Sequence, residues 1–159
     1  MHRYPSLGVA MKRTCYLFAL IICFATPAFG QSNIITISSK FSAIETMDRF
    51  EAAARAEKFQ IFARVDFQAL TAANGGKIPP NQILIFGRGG ILPPILPTTP
   101  LAAIDLPLKA LAWEDANGKV WLAFNTGEYL KERHNLVGKE ELLKRVTDAL
   151  QGLAKRAIE

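Results

Sequence analysis

Two strand-like runs, Leu108 to Trp113 and Lys119 to Phe124, flank the segment Glu114-Asp115-Ala116-Asn117-Gly118. An Asn-Gly pair between β-forming runs is the strongest local signal for a hairpin, because both residues tolerate positive φ. The spacing predicts a β-hairpin in which Asn117-Gly118 supplies that positive φ, so the rest of the chain must be arranged around an antiparallel pair. A chain of 159 residues, half of them hydrophobic and 21% charged, supports one modest core and is neither disordered nor collagen-like.

Other elements follow from their periodicity. Ile34, Ile35, Thr36 and Ile37 are β-branched and suit a strand between Asn33 and Lys40. Ser42 and Glu45 stand in capping-box spacing, and Ile44, Met47, Phe50 and Ala54 lay an apolar stripe along a helix ending near Lys58. Gln60 to Phe67 alternates as a second strand, and Gln82 to Phe86 reads as a central one. Between them Leu70 to Asn81, with Asn74, Gly75, Gly76, Pro79 and Pro80, is expected to be an exposed connection. The Gly/Pro-rich stretch from Gly87 to Pro100 is expected to be irregular, with at most a short helix from Pro94. Thr126 caps a short helix through Arg133. Leu142, Val146, Leu150, Leu153 and Ala157 stripe a last helix, Glu140 to Ile158. The order β-α-β-β-β-β-α implies an α+β two-layer sandwich: a mainly antiparallel or mixed sheet with helices packed on one face.

The N-terminus carries an address. Lys12 and Arg13 precede an apolar run from Cys15 to Ala25, and small residues at Ala28 and Gly30 flank an expected cut before Gln31. This pattern is a cleavable secretory signal, with Met1 to Ala10 as an extended start or Met11 as the initiator. The apolar run is 11 residues long, against about 20 for a membrane span. Neither Cys15 nor Cys23 is placed for lipid attachment. The expected location is periplasmic or secreted, with no stable membrane anchor after cleavage. The domain then runs from 31 to 137, and 138 to 159 form an amphipathic helix packing on or extending it.

Cleavage changes the chemistry available. Arg3, Lys12 and Arg13 leave without an acidic partner, so the formal charge of +5 falls to +2, from 16 basic and 14 acidic residues. The remaining charges are scattered, which argues against a nucleic-acid surface. Both cysteines leave as well, which excludes thiolate nucleophiles and disulfide chemistry from the mature chain. With one histidine remaining, His134, neither a metal site nor a cofactor is expected.

The run Ile61-Phe62-Ala63-Arg64-Val65-Asp66 resembles the domain of unknown function 302 family, as do Leu84-Ile85-Phe86-Gly87, Ile104 to Leu111, Trp113-Glu114-Asp115 and Gly118-Lys119-Val120-Trp121. The likeness continues through Asn125, Tyr129-Leu130 and Arg133-His134, and covers Phe41 to Leu136 in collinear order. It implies a β-α-β sandwich, often a homodimer, and no established reaction. Exported relatives resemble Asp-His where this chain has Asp66-Phe67, and Asn-Pro-Lys followed by Gly-Thr-Pro-Leu-Met where it has Arg88-Gly89-Gly90 and Leu92 to Leu96. If the family site needs that His, this chain has lost it; if Arg88 has taken over, the ligand is anionic.

Several residues are candidates for chemistry. Arg64, Asp66 and Glu114 form either a charged patch, with Asp66 as acid/base and Arg64 orienting an acidic group, or a cross-strand ion pair. Arg88, Gly89 and Gly90 follow a strand and either cradle a carboxylate or phosphate or make a plain glycine turn. If that loop is exposed, Ile91, Leu92, Ile95 and Leu96 form an apolar lip for a partner subunit or a greasy ligand. Trp113 and Trp121 are neighbours across the hairpin and pack in a core or stack on a ligand. His134 ends a helix, where a partly positive imidazole suits the dipole, or is a catalytic candidate. No nucleophile has a recognisable catalytic frame. The expectation is an exported binding module, dimeric, for a small anionic or apolar ligand. The alternative is an enzyme acting on a small anionic substrate, with Asp66 as acid/base and Arg64 or Arg88 holding the anion.

Overall fold

Five strands form one antiparallel sheet in the order β1-β5-β4-β3-β2. They are β1 (Ile34–Ser39), β2 (Gln60–Asp66), β3 (Asn81–Gly87), β4 (Leu108–Glu114) and β5 (Val120–Asn125). The helices are α1 (Ala43–Ala56), α2 (Phe67–Ala73), α3 (Gly127–His134) and α4 (Glu140–Ile158). This is the α+β sandwich expected from the strand and helix patterns. The structure, a computed structural model, describes residues 33–159. The secretory signal read from Lys12 to Gly30 lies outside the described residues.

Register sorts the strands into two faces. One cross-strand row runs Ile35, Phe124, Ala110, Leu84, Arg64, and the next Ile37, Leu122, Ala112, Gln82, Asp66. These rows turn toward α1 and α4 and supply the core, in which Leu84, Ala110, Ala112 and Leu122 are wholly buried with Met47, Phe50, Leu150 and Leu153. Phe86 takes Phe50 and Phe59 edge-on, at centroid distances of 5.3 and 5.5 Å. The opposite face carries Thr36, Ala123, Leu111, Ile83 and Val65 in one row across all five strands.

Caps set the helix ends. Ser42 Oγ accepts from Glu45 N at 3.2 Å to start α1, and Thr126 Oγ1 accepts from Tyr129 N at 3.2 Å to start α3. Lys58, at φ 61°, turns the chain out of α1 into β2.

Three expectations need correction. The connection after β2 is not wholly loop: Asp66 Oδ1 accepts from Ala69 N at 2.9 Å and caps α2, which occupies Phe67 to Ala73. In the hairpin only Gly118 adopts positive φ, at 77°. Gly118 N donates to Asp115 O across a four-residue turn, while Asn117 contributes its N–H to Asp115 Oδ1. The β3–β4 connection is irregular, with 3-10 turns at Gly89–Ile91 and Pro100–Ile104. It does not present a four-residue apolar lip, because Ile91 and Ile95 are buried and only Leu92 and Leu96 keep exposure. An irregular segment of that length can remain ordered only by donating side chains to the core, and these two isoleucines do so.

Candidate functional site

The end of the core nearest the β3–β4 connection is incompletely filled. Phe59 enters it just after α1, held by its backbone N–H donating to Ala54 O at 2.9 Å. Ile91 arrives from the first 3-10 turn, Leu108 from the start of β4, and Leu142, Val146 and Ala149 from consecutive turns of α4. Between them lies a half-open cleft of about 240 Å³ with mainly apolar walls.

Two arginines border it. Arg88 lays its guanidinium over the Phe59 ring, 4.2 Å from the centroid, and donates to Glu57 O. The Glu57 carboxylate lies 3.6 Å away and also meets Arg156 at 3.0 Å. Arg145, exposed on α4, has no ion-pair partner among the described residues; the nearby Asp148 is engaged by Lys144 at 2.7 Å. That contact holds the Lys144 ammonium above its ordinary pKa, first through the hydrogen bond and then through the charge.

The sequence-derived candidates scatter over four places. Arg88 and Gly90 line the cleft; Gly89 borders a second hollow of about 250 Å³ with Phe62 and Pro107. Arg64 and Asp66 lie toward the far end of β2, four and six residues, or roughly 13 and 20 Å, from the strand end beside Arg88. They do not pair directly. Gln82 joins them, its Oε1 accepting from Arg64 Nε at 3.0 Å and its Nε2 donating to Asp66 Oδ2 at 2.9 Å. Arg64 also meets Asp48 and Glu51 of α1. Asp66 is held below the usual carboxylate range by the Ala69 N–H first and by Gln82 next. Phe67 opens α2 beside this network, away from the cleft.

Trp113 and Trp121 stack across the hairpin, with centroids 6.5 Å apart and rings 24° from parallel. They lie on the sheet face opposite α1 and α4. Trp121 Nε1 donates to Asp115 Oδ2 at 2.8 Å, and this bond is the leading reason Asp115 sits below its ordinary pKa. Neither ring lines the cleft. Glu114 donates its backbone N–H to Pro80 O, and Arg64 takes other partners.

His134 ends α3 as expected, but its ring is 4% exposed and its Nε2 lies 2.6 Å from Asp105 Oδ2. Asp105 also receives Arg133 Nε at 2.8 Å and the Tyr129 hydroxyl at 3.3 Å. One carboxylate thereby fastens the β3–β4 connection to α3. Asp105, Phe59, Val146 and Arg145 were not singled out from sequence as site residues. Their only local signals were membership of an apolar stripe for Val146 and of a family-like run for Asp105.

Among the described residues, no group of three or more His, Cys, Asp or Glu side chains could hold a metal ion. The described residues form an α+β sandwich with a small, mainly apolar cleft rimmed by guanidinium groups. The chain belongs to the family described as Domain of unknown function DUF302, whose model matches residues 35–155. Its fold is that of an uncharacterized conserved DUF302 protein from Bacillus stearothermophilus, with a TM-score of 0.71 and 18% identity, over 79% of this chain and 98% of that one. The chain is 37% identical over 105 residues to the fluoride-specific ion channel FluC 1 of Brucella suis biovar 1 (strain 1330), covering 66% of this chain and 41% of that protein. FluC 1 of Brucella abortus biovar 1 (strain 9-941) matches at the same identity, over 39% of its length. The chain thus spans about two fifths of the curated relatives it matches.

Proposed function

We propose that this chain is an exported small-ligand-binding domain of the bacterial envelope, holding its ligand in the cleft between the β3–β4 connection and α4. The observation that carries this reading is the cleft itself, about 240 Å³ of mainly apolar, half-open space walled by residues from four parts of the chain. Protein interiors pack like organic crystals, and concave apolar sites with a few polar groups at the rim are where small molecules bind. The channel name of the Brucella relatives belongs to proteins of which this chain matches about two fifths. We place this domain's role in ligand capture rather than conduction. No described helix is long and apolar enough to cross a membrane.

Methyl NMR with benzene as a neutral probe tests the cleft. The Ile91, Leu142 and Val146 methyls are expected to shift saturably, and Val146→Trp, which fills the space, should abolish the shifts. Unmoved methyls would refute the reading. Export is tested by N-terminal sequencing of protein recovered from the periplasm: a chain beginning at Gln31 supports it, and an uncut chain retained in the cytoplasm refutes it.

A further inference from the structure

The cleft's walls and its rim ask for different chemistry, and together they define a ligand class. A 150 Å³ apolar cavity accommodates benzene; scaled to about 240 Å³, the space suits an apolar body of roughly nine heavy atoms. A diacyl lipid is far too large for it.

The two rim arginines are not equivalent. Arg88 is fixed by stacking on Phe59 and already shares the Glu57 carboxylate, so its charge is partly answered within the fold. Arg145 projects from the turn of α4 that also supplies Val146, and among the described residues no carboxylate answers it. A guanidinium is weakly hydrated and presents a fork that matches a carboxylate bidentately. Its place at the mouth, with apolar side chains behind it, matches a molecule carrying one negative group at one end of a greasy body.

Resting on the ligand-binding reading above, we propose that the cleft takes a compact amphiphilic monocarboxylate, its apolar body against Phe59, Ile91 and Val146 and its carboxylate on Arg145, with Arg88 as the second donor. Gly90 leaves the entrance open on the loop side: a Cβ built there meets nothing within 4 Å.

Isothermal titration of the purified chain with three probes tests the assignment. Octanoate has both body and charge, 1-octanol the body alone, and acetate the charge alone. Octanoate is expected to bind one to one and at least tenfold tighter than 1-octanol, with no heat from acetate. Arg145→Met should weaken octanoate about tenfold and leave 1-octanol unchanged, Arg145→Lys should restore part of the loss, and Val146→Trp should abolish both. Equal affinity for octanoate and 1-octanol, or an Arg145→Met protein that binds octanoate as tightly as the parent, would overturn the acid assignment while leaving the cleft a ligand site. If no probe binds, benzene separates the two failures. Methyl shifts with benzene would mean that the acid class alone is wrong, and their absence would remove the ligand reading as well.

Discussion

Gly127 is the position at which the fold and the cleft are mechanically joined. It is the first residue of α3, and its N–H donates to Thr147 Oγ1 of α4 at 2.8 Å. A Cβ added there would lie 2.1 Å from Leu143 O and 2.6 Å from Leu143 C. Those are backbone atoms in the first turn of α4, so no side-chain rotation relieves the clash. To lengthen the closest contact from 2.1 Å to the 3.0 Å that real Cβ atoms respect, α3 and α4 must part by about 0.9 Å. A gap of roughly 0.5–1 Å forfeits a quarter to a half of each dispersion contact across it, and overpacking of this kind costs about 1–3 kcal/mol. For Gly127→Ala the expected loss is therefore about 2 kcal/mol, or about 5–10 °C in Tm for a domain of this size. Urea denaturation followed by far-UV circular dichroism measures it. Because α4 carries Val146 and Arg145, the variant should also bind octanoate more weakly than the parent. A stability loss below about 0.5 kcal/mol, the scatter of ordinary surface substitutions, would refute the close-approach reasoning.

Three further expectations concern other parts of the molecule. Asp66 and Asp115 are both held below their ordinary pKa by hydrogen bonds made only in the fold, from Ala69 N–H and Trp121 Nε1–H first. Their contribution is fully present above the unfolded value near 3.9 and is lost as pH falls through the lower folded value. Asp66→Asn and Asp115→Asn should therefore flatten the fall of Tm below about pH 4; unchanged acid slopes would count against these bonds. Lys58 is a non-glycine residue at φ 61°, so Lys58→Gly should raise stability by about 0.5–1 kcal/mol by removing the left-handed strain, and a destabilised variant in thermal melts would contradict that. We propose that the homodimer expected from the family resemblance forms through the sheet face opposite α1 and α4. Light scattering should then give a dimer mass that Leu111→Glu converts to a monomer, whereas a parent chain monomeric at all concentrations would remove it.

The strands and the helix starts were legible because their signals are local. β-branched Ile34 to Ile37, the cap at Ser42 and the turn residue Gly118 act within a few positions, and the structure uses them where they stand. The short helix α2 was missed for a related reason. Its capping residue, Asp66, sits inside the alternating pattern of β2, and the Asn-Gly-Gly and Pro-Pro signals downstream masked the helix formers Leu70, Ala72 and Ala73. The cleft could not be read locally at all, since Phe59, Ile91, Leu108 and Val146 meet only after the sheet and α4 are assembled. A stripe on α4 shows that Leu142 and Val146 are apolar, not that they stop short of filling the core.

The two arginine sites show why composition and spacing misdirect a search for chemistry. Arg64 stands two positions from Asp66 on a strand, which looks like a paired acid and anion holder. In the fold its donors are saturated by Gln82, Asp48 and Glu51, and Asp66 is occupied by the α2 N-terminus and Gln82. A group whose hydrogen-bonding capacity is already satisfied must break those bonds before it can serve a substrate, so this cluster is suited to fastening β2 to α1. Arg145 looks like one more solvated charge on an amphipathic helix, yet it borders apolar space and makes no ion pair within 4.0 Å among the described residues. Its position depends on a continuous set of contacts. Asp105 ties the β3–β4 connection to α3 through His134, and α3 sits on α4 through the space that Gly127 leaves. Loosening either contact moves the cleft wall relative to its rim, so binding should be sensitive to residues that touch no ligand.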